Sequence, residues 1–595
     1  MATSSFIHPS VGFLVLAVIL PFLPGRQWKW LLLVPPVIAL FSVFSVDPGL
    51  YAVLPYLGEQ VTLGRVDSLS LIFAQVFAVM SLIGMVYALN VEDKGQHIAA
   101  CLYVAGSFGS IFAGDYVSLF VFWEVMSIGS TFLVFLNRSR ESTLAGFRYF
   151  LFHTLGGLFL LGGVLLRYQA TGSFAFDHVM PADAALYDWL ILIGFCVNAA
   201  VVPLHSWLPD AYPRATVAGA VFMCAFTTKT AVYVLARGFA GWEVLATAGA
   251  VMAVYGVAQA IIANSARRVL AYDIISQVGY MAVGIGVGSA MTLDGTSAHA
   301  YAHILYKSLL FMSVGGVITA LGTDRLDKLG GLAGRMPWVT IFFTVGSLSI
   351  SGMPLFNGFV TKTMTIAGAA EAQFTWQALA LEVATVGTFI AVGVRLPYFL
   401  FWRDAPVGGV ANAPLRPLAW NMYAGMAMAA VLCIAQGVYP DMLYRYLPFP
   451  VDEPFEPWTA WHVLQALLML GFAGLAVFLL KGVMSVREGV NLDFDYFYRL
   501  VGRGLLALVC RPVAWIDDLW TEAYRVIGLK VLVLLGAGSS WFDRKAIDGV
   551  VDGSAAAVLG VGRLGAKAQN GNLQDYLAMA AVLALIVFGL VWYLG

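Results

Sequence analysis

The sequence predicts an all-α integral membrane protein with about fifteen or sixteen spans, counted at some 20 apolar residues per crossing. Three observations lead there. Of the 595 residues, 60% are hydrophobic and only 11% charged, with a mean hydropathy of +0.83; soluble domains carry about 25% charged residues. The apolar residues gather in long runs, and the sign of the charge alternates from one connecting loop to the next.

The runs fall near residues 8–24, 28–46, 67–89, 97–113, 115–136 and 144–167. A second group lies near 188–202, 215–237, 242–262, 270–289 and 298–320. A broken run covers 338–371, followed by 376–400, 418–438, 459–480 and a last one at 577–594. The first, HPSVGFLVLAVILPFLPG, lacks a cationic leader and a small-residue cleavage site, and so reads as a span rather than a signal peptide.

Alternate loops carry Arg26 and Lys29, Lys94, Arg138 and Arg140, Arg214, Arg267 and Arg268, Arg325, Lys328 and Arg335, Arg403, then Lys481 and Arg487. The intervening loops hold Asp177, Asp183 and Asp188, Asp294, Glu371, and Asp452, Glu453 and Glu456. The positive-inside rule places the first set in the cytoplasm and the N-terminus outside. Two runs read as interrupted helices: VNAAVVPLHSWLPDAYP, with Pro203, Pro209 and Pro213, and SLSISGMPLFNGFVTK, with Gly352, Pro354 and Gly358. Broken helices at matching places in two halves point to an ion pathway, although single proline kinks are tolerated in membranes. Residues 485–575 mix Arg, Asp and Glu with aromatics and leucines at helical intervals, as an amphipathic helix lying at the interface does, with lipid or neighbouring subunits along its apolar side.

A net charge of −1 offers no basic surface for nucleic acid. Cys101, Cys196, Cys224, Cys433 and Cys510 are scattered without the C-x-x-C spacing of a zinc or iron–sulfur site. No metal or redox cofactor is therefore expected in this chain.

The residues that stand out are charges inside apolar runs: Glu124 in LFVFWEVMSIG, Lys229 in AFTTKTAVYVL, Lys307 in AHILYKSLLFM and Lys362 in GFVTKTMTIAG. A charge at mid-bilayer costs at least about 2.5–3.5 kcal/mol, so such residues face a polar interior and hold or move an ion. His299, His303 and Lys307 recur at helical spacing on one face, which suits a proton wire. A structural histidine pair is the plainer reading of the same stripe, and a metal site would need a third ligand. Glu124 paired with a buried lysine could switch, since separating them frees the lysine to release its proton, or could simply fix helix packing. Asp273 is expected to pair with Arg267 or Arg268 near the loop. His205, in PLHSWLPDA, is either an entry residue or a loop hydrogen-bonding group.

These residues resemble the antiporter-like subunits shared by respiratory complex I, Mrp-type cation/proton antiporters and membrane-bound hydrogenases. The resemblance runs from about residue 65 to about residue 400 through FVFWEVMSI, VPLHSWLPDAYPRATVAGAVF, TKTAVYVLAR, ARRVLAYDIISQVGYM, AHAYAHILYKSLLFM and SISGMPLFNGFVTK. It implies two inverted five-helix repeats around the broken helices, here 97–262 and 263–402, between N-terminal helices 1–96 and accessory helices 403–484. The tail, 485–576 with an anchor at 577–595, resembles the lateral helix of the distal complex I subunit. By position, Glu124 matches the family glutamate, Lys307 the central lysine preceded by His299 and His303, Lys362 the lysine of the second broken helix, and Lys229 a connecting lysine. Two departures stand out. Asn198 occupies the place, five residues before Pro203, where the family usually has the lysine paired to the glutamate. Asp273 stands where a small polar residue is expected.

The resemblance implies a proton-translocating subunit of a multi-subunit complex in a prokaryotic inner membrane, with any redox cofactors in partner subunits. Na⁺/H⁺ antiport in a Mrp-type complex is one alternative. A membrane subunit of an inorganic-carbon uptake complex with a soluble zinc enzyme as partner is another.

Overall fold

The computed structural model describes residues 6–25, 27–56, 58–406, 408–410, 413–451, 455–479 and 492–595. Arg26, Asp452, Glu453, Lys481 and Arg487 of the loop-charge pattern lie outside the described residues. The chain forms two compact units, Met1–Phe494 and Asp495–Gly595.

The first unit opens with α1 (Pro9–Ile19) and α2 (Val34–Ser45). An antiparallel hairpin of β1 (Gly49–Tyr56) and β2 (Glu59–Val66) follows, paired from Gly49 with Val66 to Tyr56 with Glu59. The helix-only expectation did not include it. It is tied to the bundle where Asp115 accepts a 2.6 Å bond from the Thr62 backbone and Arg65 donates at 2.9 Å to the Phe176 carbonyl.

Then come α3 (Ser68–Ala88), α4 (Lys94–Phe112), α5 (Tyr116–Phe135), α6 (Arg140–Thr171), α7 (Leu186–Asn198) and the short α8 (Trp207–Ala211). The core continues with α9 (Val217–Ala225), α10 (Thr227–Gly238), α11 (Glu243–Ile262), α12 (Ala266–Val287) and α13 (Ala290–Leu321). It closes with α14 (Pro337–Ile350), α15 (Asn357–Glu371), α16 (Thr375–Thr388), α17 (Trp420–Val438) and α18 (Ala460–Leu479). Wide π turns over Phe389–Arg395 and Tyr398–Trp402 extend α16.

Among the described residues, thirteen helices are long and apolar enough to cross a membrane. One is the Asp495–Ala568 rod of the second unit; each of the others coincides with an expected span. The remaining expected spans are the shorter Pro9–Phe22, Leu186–Asn198 and Pro337–Ile350, and the more polar α4. Two of those short helices are the leading halves of the broken runs.

Local chemistry sets the helix limits. Asp115 caps α5 through the Ser118 N–H, and Ser265 caps α12 through Arg268. Ser139 caps α6 and Ser289 caps α13. Both of those long helices end on a left-handed glycine, Gly172 at φ +69° and Gly322 at φ +78°. Single backbone bridges join Asp115 to Ala175 and Ser265 to Arg325. One constant sequence interval relates every member of the first set to its counterpart in the second, so two halves repeat the same local geometry.

The second unit is a helical rod over Asp495–Ala568, interrupted by wide turns at Tyr524–Lys530 and Asp543–Ile547. Its 74 residues extend about 110 Å at 1.5 Å per residue. A last apolar helix, Leu573–Leu594, follows. No side chain in this unit is buried, and Trp515, Trp520, Leu532 and Leu535 are among its exposed apolar groups.

Candidate functional site

Three helix breaks create the site. Ending a helix inside an apolar bundle strands its last carbonyls, which must find donors. At the first break, after Asn198, the Trp207 indole fills the role with a 2.9 Å bond to the Val197 carbonyl. Between α9 and α10, Lys229 Nζ donates to the Cys224 carbonyl at 2.9 Å and to Thr228 Oγ1 at 3.0 Å. At the second broken run, Gly352 (φ +75°) turns the chain, and Lys362 Nζ donates to the Ile350 carbonyl at 2.7 Å. Two of the three predicted lysines thus sit on carbonyls freed by breaks, where the negative end of a helix favours a cation.

Lys307, the third, is held differently. It forms an ion pair with Asp273 in which both side chains are wholly buried, and donates at 3.3 Å to the Leu270 carbonyl. The other carboxylate oxygen accepts from Thr388 Oγ1 at 3.1 Å, and Gln277 bridges Asp273 and Thr388 at 3.5 and 3.1 Å. The expected pairing of Asp273 with the loop arginines is corrected. At 100° per residue, Asp273 is rotated about 240° from Arg267 and about 140° from Arg268, so neither shares its face. Arg267 instead donates to the Ala215 carbonyl at 2.9 Å and faces Asp324 at 3.6 Å.

His299 and His303 lie on α13 toward the same interior, both fully buried. His299 Nδ1 meets Thr361 Oγ1 at 3.1 Å, and its ring lies 5.5 Å from Tyr280 and 6.3 Å from His303. Neither nitrogen of His303 has a partner among the described residues, nor has the hydroxyl of Tyr306 beside it. His303 lies within coulombic reach of Lys229, Lys307 and Lys362. Lys362 Nζ stands 5.0 Å above the Tyr280 ring and lines a cavity of about 410 Å³ with Glu382, His462 and Gln465. Glu382 Oε1 accepts from Gln465 at 2.8 Å, while its second oxygen is buried without a partner among the described residues.

Glu124 forms no ion pair with a lysine among the described residues, and its Oε1 is buried without a hydrogen-bond partner there. Its carboxylate turns to α6, where a Cβ built on Gly157 would fall 2.2 Å from Oε1. Asn198 accepts a 2.9 Å bond from His153 of α6 rather than meeting an acid. Pro203 and Pro354 stand in the connecting segments of the two broken runs. His205 meets Asp493 at 3.1 Å, and Tyr255 and Tyr272 donate to the same carboxylate at 2.5 and 2.6 Å. Sequence reasoning missed His153, Glu382 and Asp493. His153 carried a signal, since it precedes His303 by the interval that relates the two halves. Among the described residues no group of three or more His, Cys, Asp and Glu could hold a metal ion.

Residues 113–390 match the family described as NADH:quinone oxidoreductase/Mrp antiporter, TM. Hydrogenase-4 component B of Escherichia coli is 31% identical over 355 residues, 53% of this chain, which spans 50% of that relative's length. In fold, the chain resembles one in the Mrp complex from Dietzia sp. DQ12-45-1b at TM-score 0.68 and 22% identity, covering 79% of this chain and 98% of that one. It resembles one in the membrane-bound sulfane sulfur reductase, an archaeal respiratory membrane complex, at TM-score 0.68 and 21% identity, with 98% of this chain and 99% of that one covered. Residues 113–390 thus carry the NADH:quinone oxidoreductase/Mrp antiporter transmembrane domain, and the chain shares the fold of these Mrp and sulfane sulfur reductase membrane chains.

Proposed function

We propose that this chain moves protons across a prokaryotic inner membrane as one subunit of a multi-subunit complex. The first repeat (97–262) and the second (263–402) each carry half of the route, and the N-terminus lies on the outer side. Protons reach Lys229, pass by way of His303 and His299 to Lys307 and Lys362, and leave through the cavity that Lys362 shares with Glu382. Protons suit these groups because lysine and histidine exchange them directly, while the described residues around them offer no carboxylate cage to replace the water shell of Na⁺. Redox cofactors, where the complex uses them, belong to partner subunits.

One observation carries the reading: the wholly buried Lys307–Asp273 pair beside two imidazoles, His303 and His299, with His303 unpartnered. A buried ion pair contributes little net stability, so its retention is better explained by a charge that must change. The test is Lys307→Ala in the intact complex reconstituted into proteoliposomes. The expected outcome is loss of proton flux with assembly preserved. Flux equal to wild type would defeat the relay.

A further inference from the structure

Where a lysine is expected beside Glu124, the first half presents an amide that cannot carry a proton. We propose that His153 is the proton-carrying side chain of the first half, taking the place left by Asn198. The proposal rests on the relay reading above.

The register between the halves comes first. Asp115 and Ser265, Ser139 and Ser289, and Gly172 and Gly322 are matched cap positions on matched helices. The same interval carries His153 onto His303 and Gly157 onto Lys307. The second half therefore places a histidine and, one turn on, a lysine against the Asp273 carboxylate. The first half places a histidine and, one turn on, a bare glycine against the Glu124 carboxylate. With no lysine at either Gly157 or Asn198, His153 is the basic side chain of α6 within a turn of Gly157.

Its surroundings suit the task. His153 is fully buried, with Tyr149 and Trp207 rings packed at 4.1 and 4.6 Å. Asn198 Oδ1, at 2.9 Å, can only accept, so Nδ1 carries hydrogen and the Nε2 lone pair is free. Nε2, Asn198 Nδ2 and Glu124 Oε1 are all buried polar atoms without a partner among the described residues. Three such atoms, one each on α5, α6 and α7, mark a polar spot of the kind bridged by water. In transfer, protonated Glu124 gives its proton through water to Nε2, leaving carboxylate and imidazolium. The imidazolium then returns Nε2–H to the next acceptor and is neutral again. Hydroxyls lead onward: Tyr149 bonds Ser130 at 2.9 Å, and Tyr103 bonds Thr227, two residues before Lys229, at 2.6 Å.

The test uses the intact complex in proteoliposomes under an imposed pH gradient. His153→Gln keeps an amide beside Asn198 but removes the titratable ring, and flux should fall about tenfold or more. Adding Asn198→Lys to His153→Gln should restore flux, because a proton carrier returns beside Glu124. Wild-type flux in His153→Gln overturns the proposal. So does loss of flux that Asn198→Lys leaves unrepaired, since His153 would then only shape the helix pair. Should His153→Gln fail to assemble, Asn198→Lys alone decides. A second basic group facing His153, Glu124 and Tyr149 should move the pH profile of flux, and an unmoved profile counts against a carrier there. Lys307→Ala separates the two levels: if it also transports normally, the whole relay fails, not this residue alone.

Discussion

Lys307 and Asp273 meet between α13 and α12 with no solvent exposure on either side chain. The two partners are unequally supported. Asp273 keeps Thr388 and Gln277 when the amine is gone, whereas Lys307 without its acid keeps, among the described residues, the 3.3 Å contact with the Leu270 carbonyl.

That inequality predicts unequal damage. After Lys307→Ala, the acid left behind takes up a proton and stays hydrogen bonded. After Asp273→Ala, a buried amine loses its counter-charge and Thr388 loses an acceptor. Asp273→Ala should therefore destabilise the complex by about 1–3 kcal/mol more than Lys307→Ala. Thermal unfolding of the two detergent-solubilised variants measures the difference, and equal midpoints would show that the acid is not the better-anchored member.

The cavity shared by Lys362 and Glu382 gives a second expectation. Glu382→Gln preserves a polar group for Gln465 but cannot accept a proton as a carboxylate. Flux should drop severalfold while assembly and the Lys362 contact to Ile350 persist. Proteoliposome flux at saturating gradient checks this, and an unchanged rate would remove Glu382 from the exit.

Asp493 supplies a pH dependence. Burial alone would raise its carboxyl, but hydrogen bonding and charge from His205, with bonds from Tyr255 and Tyr272, outweigh burial and hold it well below the usual carboxylate range. A carboxyl depressed in the folded state contributes stability that is complete above its unfolded value, about 4, and is lost as pH falls toward its folded value. Asp493→Asn should thus cost about 1–3 kcal/mol at neutral pH, a gap that narrows as both proteins are acidified below about pH 4. Paired unfolding curves at neutral and acid pH read the gap; one that widens in acid would mean the aspartate is not ionised when bound.

Much of this architecture was legible because span length is a coarse signal. Apolar runs of membrane length and their flanking charges locate α3, α5 and α11 with little ambiguity. The hairpin of β1 and β2 escaped because LYAVLPY and QVTLGRV are short and bounded by stronger helical runs. Buried lysines announce themselves by their cost, but their partners depend on rotation about helix axes. Asp273 looked close to Arg267 in sequence and faces away from it in space. Glu382 was silent for another reason, and His153 was overlooked for the same one: a single polar residue in a long helix reads as packing until the opposing helix is known.

The carbonyl seats of Lys229 and Lys362 have a kinetic implication. A backbone oxygen accepts a hydrogen bond from an amine as well as from an ammonium, so each side chain keeps its perch after it gives up a proton. On the proposed relay, charge would then pass along the row without the carriers swinging away and back. A carrier tethered mainly to a carboxylate, as Lys307 is to Asp273, would lose most of its hold on discharge, which in the proposed relay makes that contact the step where protonation and geometry are most tightly geared together.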